Sequence, residues 1–130
     1  KISHWNKLTM VCTLYALVCK TPGHYYTGTT SRPLYVRLAE HRQGVACKWT
    51  QKHGFKRVLF SCTIPLNRCR EFEADAWMYL ARLHGPHNVR GGDVTVVDRH
   101  TDIIPNWILP KEFGGERICD WGFLVNPPNN

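Results

Sequence analysis

The sequence predicts an α/β fold, a small, mostly antiparallel three-stranded sheet flanked by helices. Three observations carry this expectation. Segments 11–19 and 24–29 read as strands joined by a Pro22-Gly23 turn, which makes a hairpin. A third strand-length apolar run follows at 57–64. Two segments with helix start and stop signals lie at 33–43 and 67–84. At 130 residues the chain suits one domain and can bury a core without covalent staples.

The elements follow in order. "VCTLYALVC", 11–19, is an unbroken apolar run of strand length. With its basic flanks, "KLTMVCTLYALVCK" imitates a secretory leader. It is far too short to span a membrane, no small-residue cleavage site follows, and the turn "TPGH" comes next, so a buried strand is the better reading. Ser31 is the expected cap of the first helix, with Pro33 in its first turn and Gly44 as its stop after Gln43. "VACKWTQKHGFK", 45–56, is basic and polar, with room for a short helix. "RVLFSCTI" is the third strand, broken by Pro65. Asn67 is the expected cap of a helix ending at His84 before Gly85-Pro86. "NVRGG", 88–92, reads as a tight loop, and "VTVV" as a last short strand.

Three stretches result: a basic lead at 1–9, a domain at 10–97, and an extension at 98–130. Ile103, Ile104, Trp107, Ile108, Leu109, Trp121, Phe123 and Leu124 predict that the extension packs on the domain, with "NPPNN" as a frayed end. The start at Lys1 and the "NPPNN" end fit a domain of a larger protein.

Charge is unevenly placed. Residues 1–70 hold 12 Lys/Arg and one acid, a net of +11, whereas residues 71–130 hold 5 Lys/Arg and 9 acids, a net of −4. A half-chain that basic suits a polyanion, with Lys48, Lys52, Lys56, Arg57 and Arg90 as candidate phosphate contacts. Of the six cysteines, Cys12, Cys19 and Cys62 fall in strand-like apolar runs, where thiols act as small hydrophobes. That pattern predicts a reducing, intracellular setting with no membrane association.

One stretch concentrates chemistry: "YYTGTTSRPLYVRLAEHRQG", 25–44. Arg37 offers a fixed charge and a planar donor fork for phosphate oxygens. His41 lies one turn on, so both side chains share a helix face, and its imidazole can donate a hydrogen bond or move a proton. Hydroxyls of Tyr15 and Tyr26 can orient a water or deprotonate it, although an ordinary tyrosine pKa of about 10 needs a nearby cation to bring it down. Taken singly, Tyr15 reads as core, Arg37 as a solvated helix charge and His41 as a surface residue. Only the joint pattern singles them out.

That pattern includes "LYA" with Tyr15, "YTG" with Tyr26 and Gly28, "YVRLAEH" with Arg37 and His41, then Glu73, and Asn88 in "NVRGG". These six side-chain positions, in this order and with Gly28, resemble the GIY-YIG nuclease domain family over roughly residues 10–92. The resemblance implies a metal-dependent endonuclease that hydrolyses DNA with a tyrosine-activated water, leaving a 5′-phosphate and a 3′-hydroxyl. It implies one divalent ion, Mg²⁺ (or Mn²⁺), held by Glu73, with Asn88 bracing the site. One of Tyr15 and Tyr26 is then the base, and the residues leave open which. The first glycine-isoleucine is missing, and Thr27 replaces an isoleucine. Both departures touch packing more than chemistry.

Helical phasing supports Glu73 separately. At 100° per residue it falls within an apolar arc of Phe72, Leu83, Ala76, Cys69, Leu80 and Trp77, while Glu71 and Asp75 fall on the polar side. A carboxylate among core residues needs a cation or hydrogen bonds. Two rival readings compete. Cys62, Cys69, His84 and His87 could hold zinc, but their C-x6-C spacing is wider than structural zinc sites use. A non-catalytic nucleic-acid-binding module on the same fold would share the basic surface, yet would not need Glu73, Arg37 and the tyrosines together.

Overall fold

The computed structural model describes residues 10–91. β1 (Val11–Val18) and β2 (Tyr25–Thr30) form the expected antiparallel hairpin. α1 (Leu34–Gln43) and α2 (Lys48–His53) follow, and β3 (Arg57–Pro65) pairs antiparallel with the other edge of β1. A 3-10 turn at Leu66–Arg68 leads into α3 (Cys69–His84), and a second at Pro86–Asn88 leads into β4 (Val89–Gly91).

The sheet is therefore four-stranded and mixed, in the order β3-β1-β2-β4 with β4 parallel to β2. This corrects the three-stranded, mostly antiparallel sheet and turns part of the "NVRGG" loop into a strand. Three residues carry no readable periodicity. β4 exists because the outer edge of β2 offers unpaired backbone groups, which Val89–Gly91 meet. β3, α3 and β4 make a crossover, so β3 and β4 run the same way on opposite edges. The expected "VTVV" strand, the lead at 1–9 and the extension at 98–130 lie outside the described residues.

β1 is central and buried on both faces, which accounts for its unbroken apolar run. Cys12, Leu14 and Ala16 join Phe60, Ile64, Trp77, Leu80 and Val89 beneath α3. Tyr15 and Leu17 point the other way, into a second cluster with Tyr26, Trp49 and Phe55, against Leu34 and Leu38 of α1. Tyr15 and Gly28 are direct partners across the β1–β2 ladder.

Helix starts differ from expectation. Pro33, not Ser31, precedes α1, and Asn67 sits inside the 3-10 turn while Arg68 precedes α3. In both places a proline with extended backbone, Pro33 or Pro65, sets the entry without a side-chain cap. Gly44 ends α1 as expected, at φ 76°, where a residue with a Cβ would be strained. α3 packs against all four strands, so its buried surface exceeds the single arc that phasing predicts. Asp75 is only 1 % exposed and Leu83 is 51 % exposed, the reverse of both expectations. Cys12, Cys19, Cys47, Cys62 and Cys69 are thiols. No helix among the described residues is long and apolar enough to cross a membrane.

Candidate active site

The face of the sheet under α1 and α2 gathers four of the six motif residues. Tyr15 on β1 is fully buried, and its hydroxyl lies 2.9 Å from Nε2 of His41. Arg37 donates from Nε to the same hydroxyl at 3.4 Å. The Tyr26 ring sits 5.0 Å from the His41 ring and 6.3 Å from the Tyr15 ring, centroid to centroid. No hydrogen bond ties the Tyr26 hydroxyl among the described residues. Gly28 makes this possible. A Cβ there would stand 2.7 Å from the Tyr15 oxygen, so only a glycine leaves the phenol its place.

Arg37 is held from its outer side. Its Nη1 donates to Glu40 Oε1 at 2.8 Å, and Arg32 grips both oxygens of the same carboxylate at 2.8 and 3.0 Å. Pairs this exposed add little stability. Their effect is orientation, because the clamp aims Nε at Tyr15. The guanidinia of Arg32 and Arg37 hold Glu40 down to about 2. Burial works against the Arg37 charge, but Glu40 and Tyr15 outweigh it and raise the Arg37 pKa.

Burial pushes Tyr15 up to about 12, while the hydrogen bond and charge of Arg37 pull it back. Burial raises Tyr26 further. His41 is lowered to about 4 by burial and then by Arg37, so it is neutral at pH 7. Its Nδ1 lies 2.8 Å from Thr50 Oγ1 on α2. The site therefore holds two protonated phenols, a neutral imidazole and one fixed cation.

Glu73 approaches from the α3 side of the sheet. Thr29, which faces Leu14 across the ladder, donates from Oγ1 to Glu73 Oε1 at 3.4 Å. The Glu73 charge is felt at both phenols, where it adds to the upward shift. Among the described residues no group of three or more His, Cys, Asp or Glu side chains could enclose an ion. One half-buried carboxylate is a hard oxygen ligand of the kind that suits Mg²⁺ with retained waters, and it does not suit a closed zinc or calcium cage.

A family model, the GIY-YIG catalytic domain, matches residues 11–76, which is 66 of the 130 residues. The chain belongs to the GIY-YIG family. Comparison with curated proteins and with solved structures returns no match. The match covers β1 through the middle of α3, and so includes Tyr15, Tyr26, Arg37, His41 and Glu73. Thr27, where the GIY-YIG pattern has isoleucine, is fully buried on the α3 face opposite Ala16 and leaves the tyrosine face untouched.

Asn88 lies just before β4 and Arg90 within it, where Arg90 is the ladder partner of Tyr26. Asn88 donates from Nδ2 to His84 O at 2.8 Å and so closes the last turn of α3. His84 lies 11 residues beyond Glu73, about 16 Å along the helix axis, which separates Asn88 from the Glu73 end. Arg90 is 3 % exposed, with its guanidinium 4.5 Å over the Trp49 ring and its Nη1 directed at the carbonyls of Pro86, His87 and Val89. These contacts brace β4. The zinc alternative fails on length. Cys69 and His84 are the two ends of α3, about 22 Å apart, and the His84 ring stacks on Tyr25 at 4.0 Å.

Lys48, Lys52, Lys56 and Arg57 are all exposed, on α2 and the entry to β3. Three supporting residues carry no motif. Glu40 was within reach of the sequence, because it lies three residues after Arg37 on one helix. Thr29 and Thr50 were not, since each meets its partner only through tertiary packing.

Proposed function

We propose that this chain is a metal-dependent endonuclease that hydrolyses DNA phosphodiester bonds, with Tyr15 as the general base. The observation that carries the proposal is the hydroxyl of Tyr15 held between a proton acceptor, His41 Nε2 at 2.9 Å, and a cation, Arg37 Nε at 3.4 Å. Tyr26 has no comparable acceptor among the described residues, which favours Tyr15 over it.

Arg37 binds the scissile phosphate. The attacking water gives a proton to the Tyr15 oxygen as the phenol proton passes to His41 Nε2. The water oxygen bonds to phosphorus, the bond to the 3′ oxygen breaks, and that oxygen takes a proton from solvent. A 5′-phosphate and a 3′-hydroxyl result. Protonating His41 is unfavourable in the free protein, where burial and Arg37 hold its pKa near 4. An anionic phosphate on Arg37 offsets that charge and makes the transfer easier. Tyr26, with its hydroxyl outside that chain, orients the water or a phosphate oxygen. Glu73 would hold the Mg²⁺ or Mn²⁺ ion, which when bound supplies charge stabilisation for the phosphate and the leaving oxygen. Lys48, Lys52, Lys56 and Arg57 contact flanking phosphates.

The test is cleavage of supercoiled plasmid, branched DNA and single-stranded DNA with Mg²⁺, Mn²⁺ or EDTA, beside Tyr15→Phe. Metal-dependent nicking that Tyr15→Phe lacks is expected. Tight binding to all three substrates without any cleavage would leave only the non-catalytic binding module.

A further inference from the structure

The geometry points to Thr50 as a positioning residue, whose hydroxyl holds the His41 ring in the tautomer that leaves Nε2 bare to accept the Tyr15 proton. Thr50 is no part of the motif residues. It comes from α2, and its side chain is buried, 1 % exposed, with Oγ1 at 2.8 Å from His41 Nδ1. His41 is likewise 1 % exposed, so water does not compete for its ring.

The proton directions follow from one donor that cannot reverse. A guanidinium N–H only donates. Arg37 Nε therefore gives its hydrogen to the Tyr15 oxygen. The phenol proton then points to the other neighbour of that oxygen, His41 Nε2. Nε2 must be bare to accept it, and a neutral imidazole then carries its hydrogen on Nδ1. That hydrogen goes to Thr50 Oγ1. The Thr50 proton is left for Cys47 Sγ, 3.4 Å away. Every bond in this order has a donor and an acceptor.

The opposite tautomer fails at one point. With a hydrogen on Nε2, both His41 and Arg37 would donate to the Tyr15 oxygen, and the buried phenol proton would have no acceptor among the described residues. A buried donor left without an acceptor forfeits its hydration with nothing in return. Thr50 tips the choice because it can accept from Nδ1–H and pass its own proton on. A valine of similar shape can do neither.

The consequence for catalysis rests on the nuclease reading with Tyr15 as base, but the tautomer does not. The experiment has two arms on the full chain. Imidazole ¹⁵N spectra at pH 7, with the His41 signals assigned from His41→Gln, are expected to show Nδ1–H in the wild type and in Thr50→Ser. Thr50→Val is expected to gain the Nε2–H form. In the cleavage arm, Thr50→Val is expected to lose about 100-fold in kcat with KM for DNA little changed, and Thr50→Ser to restore most of it. An Nε2–H tautomer in the wild type overturns the proposal, and so does a Thr50→Val protein whose tautomer is unchanged. Should Thr50→Val not fold, the wild-type and Thr50→Ser spectra decide alone. A wild type that cleaves no DNA while showing Nδ1–H refutes the nuclease reading and leaves the Thr50 assignment standing.

Discussion

The Tyr15 hydroxyl occupies the space that a side chain at Gly28 would fill, 2.7 Å from where its Cβ would stand. The two residues are ladder partners, so neither can move without bending the hairpin. Gly28→Ala is expected to push the phenol off His41 and Arg37. Overpacking should cost about 1–3 kcal/mol in a denaturant melt. Cleavage should fall further than that loss explains, when assayed at a temperature where the variant is folded. A fully active Gly28→Ala protein would show that the Tyr15 position is not critical.

Arg37→Ala should leave the fold intact and reduce cleavage by roughly 10²–10³, the usual effect of removing one transition-state donor. Arg37→Lys should recover little, because an ammonium cannot bond Glu40 and Tyr15 with one planar fork. Circular dichroism and nicking rates, measured together, check both statements.

Glu73→Gln should keep the melting temperature and DNA affinity while losing metal-dependent cleavage. Glu71→Gln is the control, since Glu71 is exposed and, among the described residues, pairs with its helix neighbour Arg68 at 2.7 Å in a bond of little worth. Asp75→Asn is not a comparable control, because Asp75 is buried; its melt should drop. Isothermal titration of Mn²⁺ into wild type and Glu73→Gln gives a readout independent of cleavage.

Stability should fall on acidification through a defined window. His41 drops from its ordinary 6.5 to about 4 on folding, first through burial and then through Arg37. The unfolded chain therefore binds the proton at a pH where the folded protein does not. Full stability is present above pH 6.5 and is lost as pH falls towards 4. One pKa unit corresponds to about 1.4 kcal/mol, so the whole window is of the order of a few kcal/mol. Urea melts across it should show a steep slope for wild type and a shallower one for His41→Gln. His84, lowered by burial in the same direction, accounts for part of what remains. A similar slope in both proteins would contradict the assignment.

Affinity for duplex DNA should fall steeply with salt and depend weakly on sequence. Replacing Lys48, Lys52, Lys56 or Arg57 by alanine should each reduce the log–log salt slope by about 0.9 if that side chain neutralises a phosphate. Arg90→Ala should instead lower the melting temperature and leave the slope unchanged, because its guanidinium is spent on Trp49 and three carbonyls.

The sequence by itself determined the hairpin, both long helices and the order of the chemical residues. Each of these is local: strand length at Val11–Val18, the turn at Pro22-Gly23, Gly44 closing α1, and Arg37 four residues before His41. Local signals work where one element satisfies its own backbone. They failed at β4, whose three residues are a strand only because β2 supplies the other half of each hydrogen bond. They failed again on α3, where packing against four strands buried Asp75 and exposed Leu83. The tertiary structure alone decided which tyrosine hydroxyl meets both His41 and Arg37, since these are 26 and 22 residues from Tyr15 in the chain. It also decided that Asn88 and Arg90 brace the end of α3 and β4, and that Thr50 reaches His41. Those contacts join groups from different elements, and no spacing along a chain records which side of a sheet two elements will share.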